Sequence, residues 1–171
     1  MFKFAGLMGL VLGTGLIGIM KSFQLKERIR LLEDYLQMIL DVKGYINYFR
    51  EPLIQIYRNE GKKCGSEGFM LFDRVRHDLT QKEAEISQIW ALNVDKIYGS
   101  TCLGPEDIEL LKYPGFFIGQ TDYENQLARF EYLEKRLVEQ IEAARENYVK
   151  IGPLYRKLGF FAGGLAAIFF I

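Results

Sequence analysis

The stretch TDYENQLARFEYLEKRLVEQIEAARENYVKIGPLYRKLGFFAGGLAAIFFI, residues 121–171, decides the fold. Its opening, Thr121-Asp122-Tyr123-Glu124, has the form of a capping box, in which the threonine oxygen takes an orphan amide and the glutamate reaches back. Leu127, Phe130, Leu133, Leu137, Ile141, Ala144, Tyr148 and Ile151 follow at spacings of three and four. That period predicts an amphipathic helix from about Asp122 to Ile151, roughly 45 Å long. Gly152-Pro153 predicts a break or kink, because proline lacks the backbone donor and clashes with the preceding turn. Past Tyr155-Arg156-Lys157, residues 158–171 carry no charge. A helix over 153–171 would be about 28 Å long, enough for a bilayer span if Arg156 and Lys157 snorkel. The alternative is a hydrophobic tail lying partly in the interface.

The other end of the chain mirrors this one. Residues 4–20 are uncharged and, at about 1.5 Å per residue, reach roughly 25 Å. With Lys3 and Lys21 snorkelling, a slightly thinned bilayer would accept them. A cleaved signal peptide fits less well, since no A-x-A-like site follows Met20. Gly13-Thr14-Gly15-Leu16-Ile17-Gly18 matches the G-x-G-x-x-G dinucleotide fingerprint in form, with Glu33 and Asp34 about twenty residues on. That chemistry needs a strand before the glycines and another carrying the acid, and here a long helical period follows instead. Gly9 and Gly13, and Gly159 and Gly163, have the spacing that lets helices approach closely. Plain glycine enrichment of membrane helices accounts for them equally.

Between these ends the chain reads as helices. Leu25, Ile29, Leu32, Leu36 and Ile39 continue to Val42 and Ile46 as one apolar face, closed by Glu51-Pro52-Leu53. Pro52 suits the first turn of a short helix to about Asn59, and Gly61 to Gly68 is a loop. Phe69, Phe72, Val75, Arg76 and Leu79 predict a helix from about Glu67 to Leu79. Thr80-Gln81-Lys82-Glu83, another capping box, predicts the start of the next, with Ile86, Ile89, Trp90, Val94 and Ile97 inside and Gly99-Ser100 closing it. Gly104-Pro105-Glu106-Asp107 starts a short helix through Leu111, with proline early and acids in the first turn. Tyr113-Pro114-Gly115 is a turn, and Phe116-Phe117-Ile118 an apolar linker ending at Gly119. No run alternates with period two. The expected fold is all-α: a bundle of about six helices over 21–152, mounted on membrane helices at 1–20 and 153–171. The helices over 25–49 and 122–151 match in length and are expected to pair antiparallel.

Charge and chemistry narrow the function. The 22 basic and 22 acidic residues balance, so nothing draws the chain to nucleic acid. Lys21, Lys26, Arg28, Arg30, Lys150, Arg156 and Lys157 lie on the inner side of the hairpin against Lys3 outside, which places the bundle in the cytoplasm. Cys64 and Cys102 have no metal or disulfide spacing and read as reduced thiols. Asp122 with Glu124, or Asp107 with Glu109, could pose as catalytic carboxylate pairs, but acids at helix starts serve caps and the dipole first. His77 is the only histidine and has no identifiable nucleophile to serve. The expectation is a protein that is not an enzyme, with no cofactor and no metal.

Gly115-Phe116-Phe117-Ile118-Gly119-Gln120-Thr121-Asp122, then Gln126, then Leu154-Tyr155-Arg156-Lys157-Leu158-Gly159, resembles the stage III sporulation protein AB family of endospore-forming bacteria. Leu25-Lys26-Glu27-Arg28 and Ile46-x-Tyr48 followed by Pro52-Leu53 are similar as well. Glu51 departs from the pattern, which favours a small residue before the proline, and 61–68 carries little that matches. The resemblance implies a membrane component of the channel complex between mother cell and forespore, in the mother-cell membrane around the forespore. It implies a bundle similar to the cytoplasmic F domain of the type II secretion platform protein. The implied partners are the cytoplasmic sporulation ATPase (protein AA of the complex), other channel membrane proteins, the lipid bilayer and further copies of the chain. The implied motif residues, structural or partner-binding, are Gly115, Gly119, Thr121, Asp122, Gln126, Leu154, Tyr155, Arg156, Leu158 and Gly159. The competing expectation is a membrane-tethered helical sensor unrelated to secretion.

Overall fold

A computed structural model describes residues 2–49, 67–81, 84–119 and 122–169. Five α-helices and one 3-10 turn make up the described chain, and no strand occurs among these residues. They are α1 (Phe2–Phe49), α2 (Glu67–Gln81), α3 (Ile86–Tyr98), α4 (Pro105–Lys112), the turn Tyr113–Phe116, and α5 (Tyr123–Phe169). The expected short helix at 52–59 and most of the loop at 61–68 lie outside the described residues, as does Thr121. The chain divides into two compact units, a bundle over Arg30–Ile141 and a second unit made of Met1–Ile29 with Glu142–Ile171.

The bundle is built around α3, which packs on α2, on α4 and on the 3-10 turn. Its core holds Leu31, Leu32, Tyr35, Met38, Ile39 and Val42 of α1. Leu71, Phe72 and Val75 of α2, Ile89, Trp90, Val94 and Tyr98 of α3, and Phe130, Leu133, Leu137 and Ile141 of α5 complete it. Of the α5 face its period predicts, Phe130, Leu133, Leu137, Ile141 and Ala144 are buried, Leu127 and Tyr148 are half-buried, and Ile151 is exposed. The α1 face is wider than the single seam expected there, and Leu36 is only half-buried. The cause is that α1 meets several neighbours. Gly68 of α2 donates its N–H to Asp34 Oδ2 at 2.9 Å. Tyr35 reaches the last turn of α4. Lys43 Nζ pairs with Glu134 of α5 at 2.8 Å and with Glu131 at 3.7 Å. A helix contacted from three directions buries an arc broader than one stripe.

Helix boundaries correct two expectations. Thr80 does not open α3: its hydroxyl donates to the His77 carbonyl at 2.7 Å, inside the last turn of α2. The cap of α3 is Glu85, whose extended backbone (φ −64°, ψ 141°) offers its carbonyl to the N–H groups of Gln88 and Ile89. The second correction concerns Pro153, which sits inside a continuous α5. Proline costs a helix one hydrogen bond and some steric room, and here neither ends it.

In the second unit the two helices run antiparallel at very short range. A Cβ on Gly18 would lie 2.4 Å from the Tyr155 carbonyl oxygen, and one on Gly159 would lie 2.7 Å from that of Thr14 and 3.4 Å from the Gly15 Cα. Further along, a Cβ on Gly152 would come 3.4 Å from Ser22 Oγ. Ser22 is itself buried. The small residues are inside and the large apolar ones outside. Ile17, Met20, Phe23, Leu158, Phe161 and Leu165 are between 52% and 69% exposed. Nevertheless, no helix among the described residues is long and apolar enough to cross a membrane. The membrane helices expected at 1–20 and 153–171 are therefore not supported there. The uncharged runs, 17 and 14 residues long, fall short of the ~20 that a span requires, and each is the end of a longer helix.

Candidate functional site

The motif residues from Tyr113 to Gly119 form a corner packed against α3 and α4. Pro114 and Gly115 are buried in the 3-10 turn, and a Cβ on Gly115 would fall 2.8 Å from Trp90 Cβ and 3.3 Å from Ser87 Cα. Only glycine lets the turn lie so close to α3. The Pro114 carbonyl accepts from the N–H groups of Phe117 and Ile118 at 3.1 and 3.0 Å. Phe117 then stacks edge-on against Phe130, with ring centroids 4.9 Å apart. Gly119 has φ +74°, the left-handed conformation that side chains resist. Asp122 stands just ahead of that helix, where its carbonyl accepts from the Gln126 N–H at 3.0 Å and its carboxylate accepts from the Asn125 side chain. Gln126 is half-buried.

Two polar joints lie behind the corner. The Leu111 carbonyl, at the end of α4, accepts from the Tyr35 hydroxyl at 2.8 Å and from Trp90 Nε1 at 2.9 Å. Three elements thereby share one acceptor. Burial pushes the Tyr35 hydroxyl well above the ordinary phenol range; nearby Tyr98 adds to this and the Trp90 bond opposes it. Tyr98 packs edge-on against Tyr35 with centroids 6.2 Å apart. Its own ionisation is pushed up by burial first and by Asp34 and Glu67 second. The other joint is Asp107, fully buried, whose Oδ2 accepts from the Gly104 N–H and whose Oδ1 accepts from Gln140 Nε2, both at 2.8 Å. One carboxylate thus caps α4 and ties it to α5.

These placements decide what the acids can do. Asp107 and Glu109 do not converge, because Asp107 is spent on structural hydrogen bonds inside the bundle while Glu109 is exposed. Asp122 and Glu124 are exposed at a helix start. His77 is exposed on α2, with its ring beside the Gln81 amide at 3.3 Å. Among the described residues no cluster of three or more histidine, cysteine, aspartate or glutamate side chains could hold a metal. A crevice of about 30 Å³ opens between Phe72, Val75 and Leu79 of α2 and Ile86 and Trp90 of α3, with room for about one water.

The remaining motif residues belong to the second unit. Leu154, Tyr155, Arg156 and Leu158 are all exposed, and Gly159 forms the close crossing with α1. Gly159 therefore acts as a spacer, whereas the side chains of Leu154, Tyr155, Arg156 and Leu158 face outward. Residues that periodicity did not single out include Tyr35, Asn93 and Phe116. Asn93 is buried and donates to Asp78 Oδ2 at 3.1 Å and to the Ile89 carbonyl at 2.9 Å. Phe116 is 61% exposed between buried neighbours. A polar residue on an apolar helix face was the available signal for Asn93, and nothing in the linker distinguished Phe116 from Phe117.

The model of the family described as stage III sporulation protein AB matches residues 3–171. A solved structure titled "Stage III sporulation protein AB (SpoIIIAB)" has a similar fold, with a TM-score of 0.62 and 19% identity, covering 71% of this chain and 96% of that one. At that identity the likeness concerns the fold alone. No curated protein matches the chain.

Proposed function

This chain belongs to the stage III sporulation protein AB family, and from that premise we propose that it is a non-enzymatic scaffold of the sporulation complex. In this reading the bundle docks the cytoplasmic sporulation ATPase and other channel proteins, as a platform similar in kind to the type II secretion F domain. The two chain ends hold it at the mother-cell membrane around the forespore. The observation that carries the proposal is the family match over residues 3–171. The use of the buried polar groups supports it: Asp107, Asn93 and Tyr35 join helices to one another, leaving the surface as the place where the molecule acts.

Membrane attachment is supported by the inverted packing of the second unit. Small residues meet inside, and apolar side chains from Leu16 to Phe23 and from Leu154 to Leu165 face out. Large exposed apolar surfaces mark contact with lipid or protein, and glycine-lined crossings suit helices in an apolar medium. Lys21, Arg156 and Lys157 stand among these side chains and are exposed, placed to meet headgroups.

Two measurements test the proposal. The purified full chain, presented to the purified ATPase and channel proteins, should retain at least one of them. Retention of none, while cells still assemble the complex, would overturn the scaffold role. Alkaline carbonate washing of sporulating-cell membranes should leave the chain in the pellet. Release into the supernatant would overturn the attachment.

A further inference from the structure

The charges of the chain are divided between its two units. Met1–Ile29 with Glu142–Ile171 carries eight basic and three acidic residues, and the Arg30–Ile141 bundle carries fourteen basic and nineteen acidic. A chain that is neutral as a whole thus joins a positive unit to a negative one. The acids of the positive unit are Glu27, Glu142 and Glu146. None of them stands within four positions of Lys21, Arg156 or Lys157, the separation at which helix neighbours meet. All three cations are exposed. Among the described residues none of the three takes part in an ion pair, whereas Lys150 is held by Glu146 at 3.1 Å.

The glycine crossing brings these cations to one level. Gly18 lies against the Tyr155 carbonyl and Gly159 against that of Thr14, which fixes the register of the antiparallel pair. Arg156 and Lys157 directly follow Tyr155, and Lys21 is three residues beyond Gly18. At about 1.5 Å per residue the three fall within roughly 8 Å along the pair. Tyr155, itself exposed, stands at the same level. From there toward the chain ends, residues 4–20 and 158–171 carry no charge, and Leu16, Ile17, Leu158, Phe161 and Leu165 are exposed.

A band of cations with a tyrosine, bordered on one side by exposed apolar side chains, needs a partner built in two layers. An anionic bilayer presents them in that order, a charged headgroup layer and then an apolar one. We propose that the Met1–Ile29 and Glu142–Ile171 unit docks on an anionic phospholipid surface. Lys21, Arg156 and Lys157 meet its phosphates, and the apolar side chains beyond them enter its acyl region. The proposal rests on the membrane attachment above and adds to it the class of lipid. Such a surface attracts the positive unit and repels the negative bundle, so the attraction acts on the second unit alone.

The test reconstitutes the purified full chain into phosphatidylcholine vesicles containing spin-labelled phosphatidylglycerol or, in parallel, spin-labelled phosphatidylcholine. The fractions of each label immobilised at the protein are compared. Phosphatidylglycerol should be favoured at least ~5-fold, the factor that one lysine or arginine contributes at an anionic surface. Raising the salt to ~0.5 M should lower that preference in the unsubstituted chain. Lys21→Gln, Arg156→Gln and Lys157→Gln together should bring it below ~2-fold. Lys96→Gln, Arg129→Gln and Lys135→Gln together, which take the same charge from exposed positions on the bundle, should leave it unchanged. Equal immobilisation of the two labels by the unsubstituted chain would overturn the proposal and leave the attachment standing. So would a preference that ignores salt, survives loss of the three cations, or falls with the bundle cations. A chain that enters neither kind of vesicle would remove the attachment itself, and this inference with it.

Discussion

Asp107 shows how a single side chain can look catalytic in sequence and be structural in the fold. It accepts from the Gly104 N–H and from Gln140, so Asp107→Ala strands a helix-start donor and a half-buried amide together. The expected loss is roughly 2–3 kcal/mol, given that bonds to a charged acceptor are among the stronger ones, measured by urea unfolding of the purified chain. Glycines divide in the same way. Gly115→Ala should destabilise by about 1–3 kcal/mol, because Trp90 and the α3 backbone leave no room for a methyl. At Gly44, which is exposed within α1 with nothing near its missing Cβ, alanine should instead stabilise by about 0.5–1 kcal/mol through helix propensity. Opposite signs at the two positions are the outcome to look for in paired melts.

Helix-to-helix joints carry their own expectations. Arg30 of α1 holds Glu67 of α2 through two bonds, at 2.9 and 3.3 Å, and this contact foremost keeps the Glu67 carboxyl below its ordinary 4.5. A depressed carboxylate adds stability at neutral pH, and that contribution is lost as pH falls from about the unfolded value through the folded one. The Arg30→Ala chain should be weaker by about 0.2–1 kcal/mol at pH 7, the range for a half-exposed pair. The two chains should converge as pH falls below 4.5 and through the folded-state value of Glu67. In the second unit, Gly159→Ala would press on the Thr14 carbonyl and the backbone of Gly18, neither of which can turn aside. Hydrogen exchange of amides 149–158 should quicken in Gly159→Ala and stay unchanged in Gly13→Ala, where nothing lies near the added methyl.

For the molecule as a whole, the two units are built on opposite rules. The bundle buries its large residues and joins its helices through polar contacts on named acceptors. The Met1–Ile29 and Glu142–Ile171 unit buries glycine and serine and turns large side chains outward. The first arrangement is that of a packed core, and the second leaves open the apolar side chains on which the proposed attachment rests. The bundle should also fail at high pH. Tyr35 and Tyr98 both have raised ionisation, so each keeps its proton in the folded state after the unfolded chain has lost it. Their contribution is complete below the ordinary value of 10.0 and disappears as pH rises above it. Alkaline titration followed by tyrosine absorbance should show both ionising together with loss of helix, and Tyr35→Phe should move that transition to higher pH relative to its own neutral stability.

The sequence by itself determined the elements: the period of α5, the apolar residues of α2 and α3, and the start of α4 at Gly104-Pro105 were all legible, because helix formation is governed by neighbours three and four apart. Family membership was legible as well, through the motif residues of Gly115–Asp122 and the run Leu154–Gly159. Only the tertiary structure decided which glycines are contacts and which are idle: the spacing pointed to Gly13, which has nothing near its missing Cβ, and passed over Gly18, which lies against Tyr155 and Gly159. It also decided that Pro153 stays within a helix, that Asp107 ties α4 to α5, that Tyr35 faces the core, and that Phe116 faces out while Phe117 faces in. Each of those outcomes depends on a surface contributed from a distant part of the chain, and a local pattern holds no record of what will be packed against it.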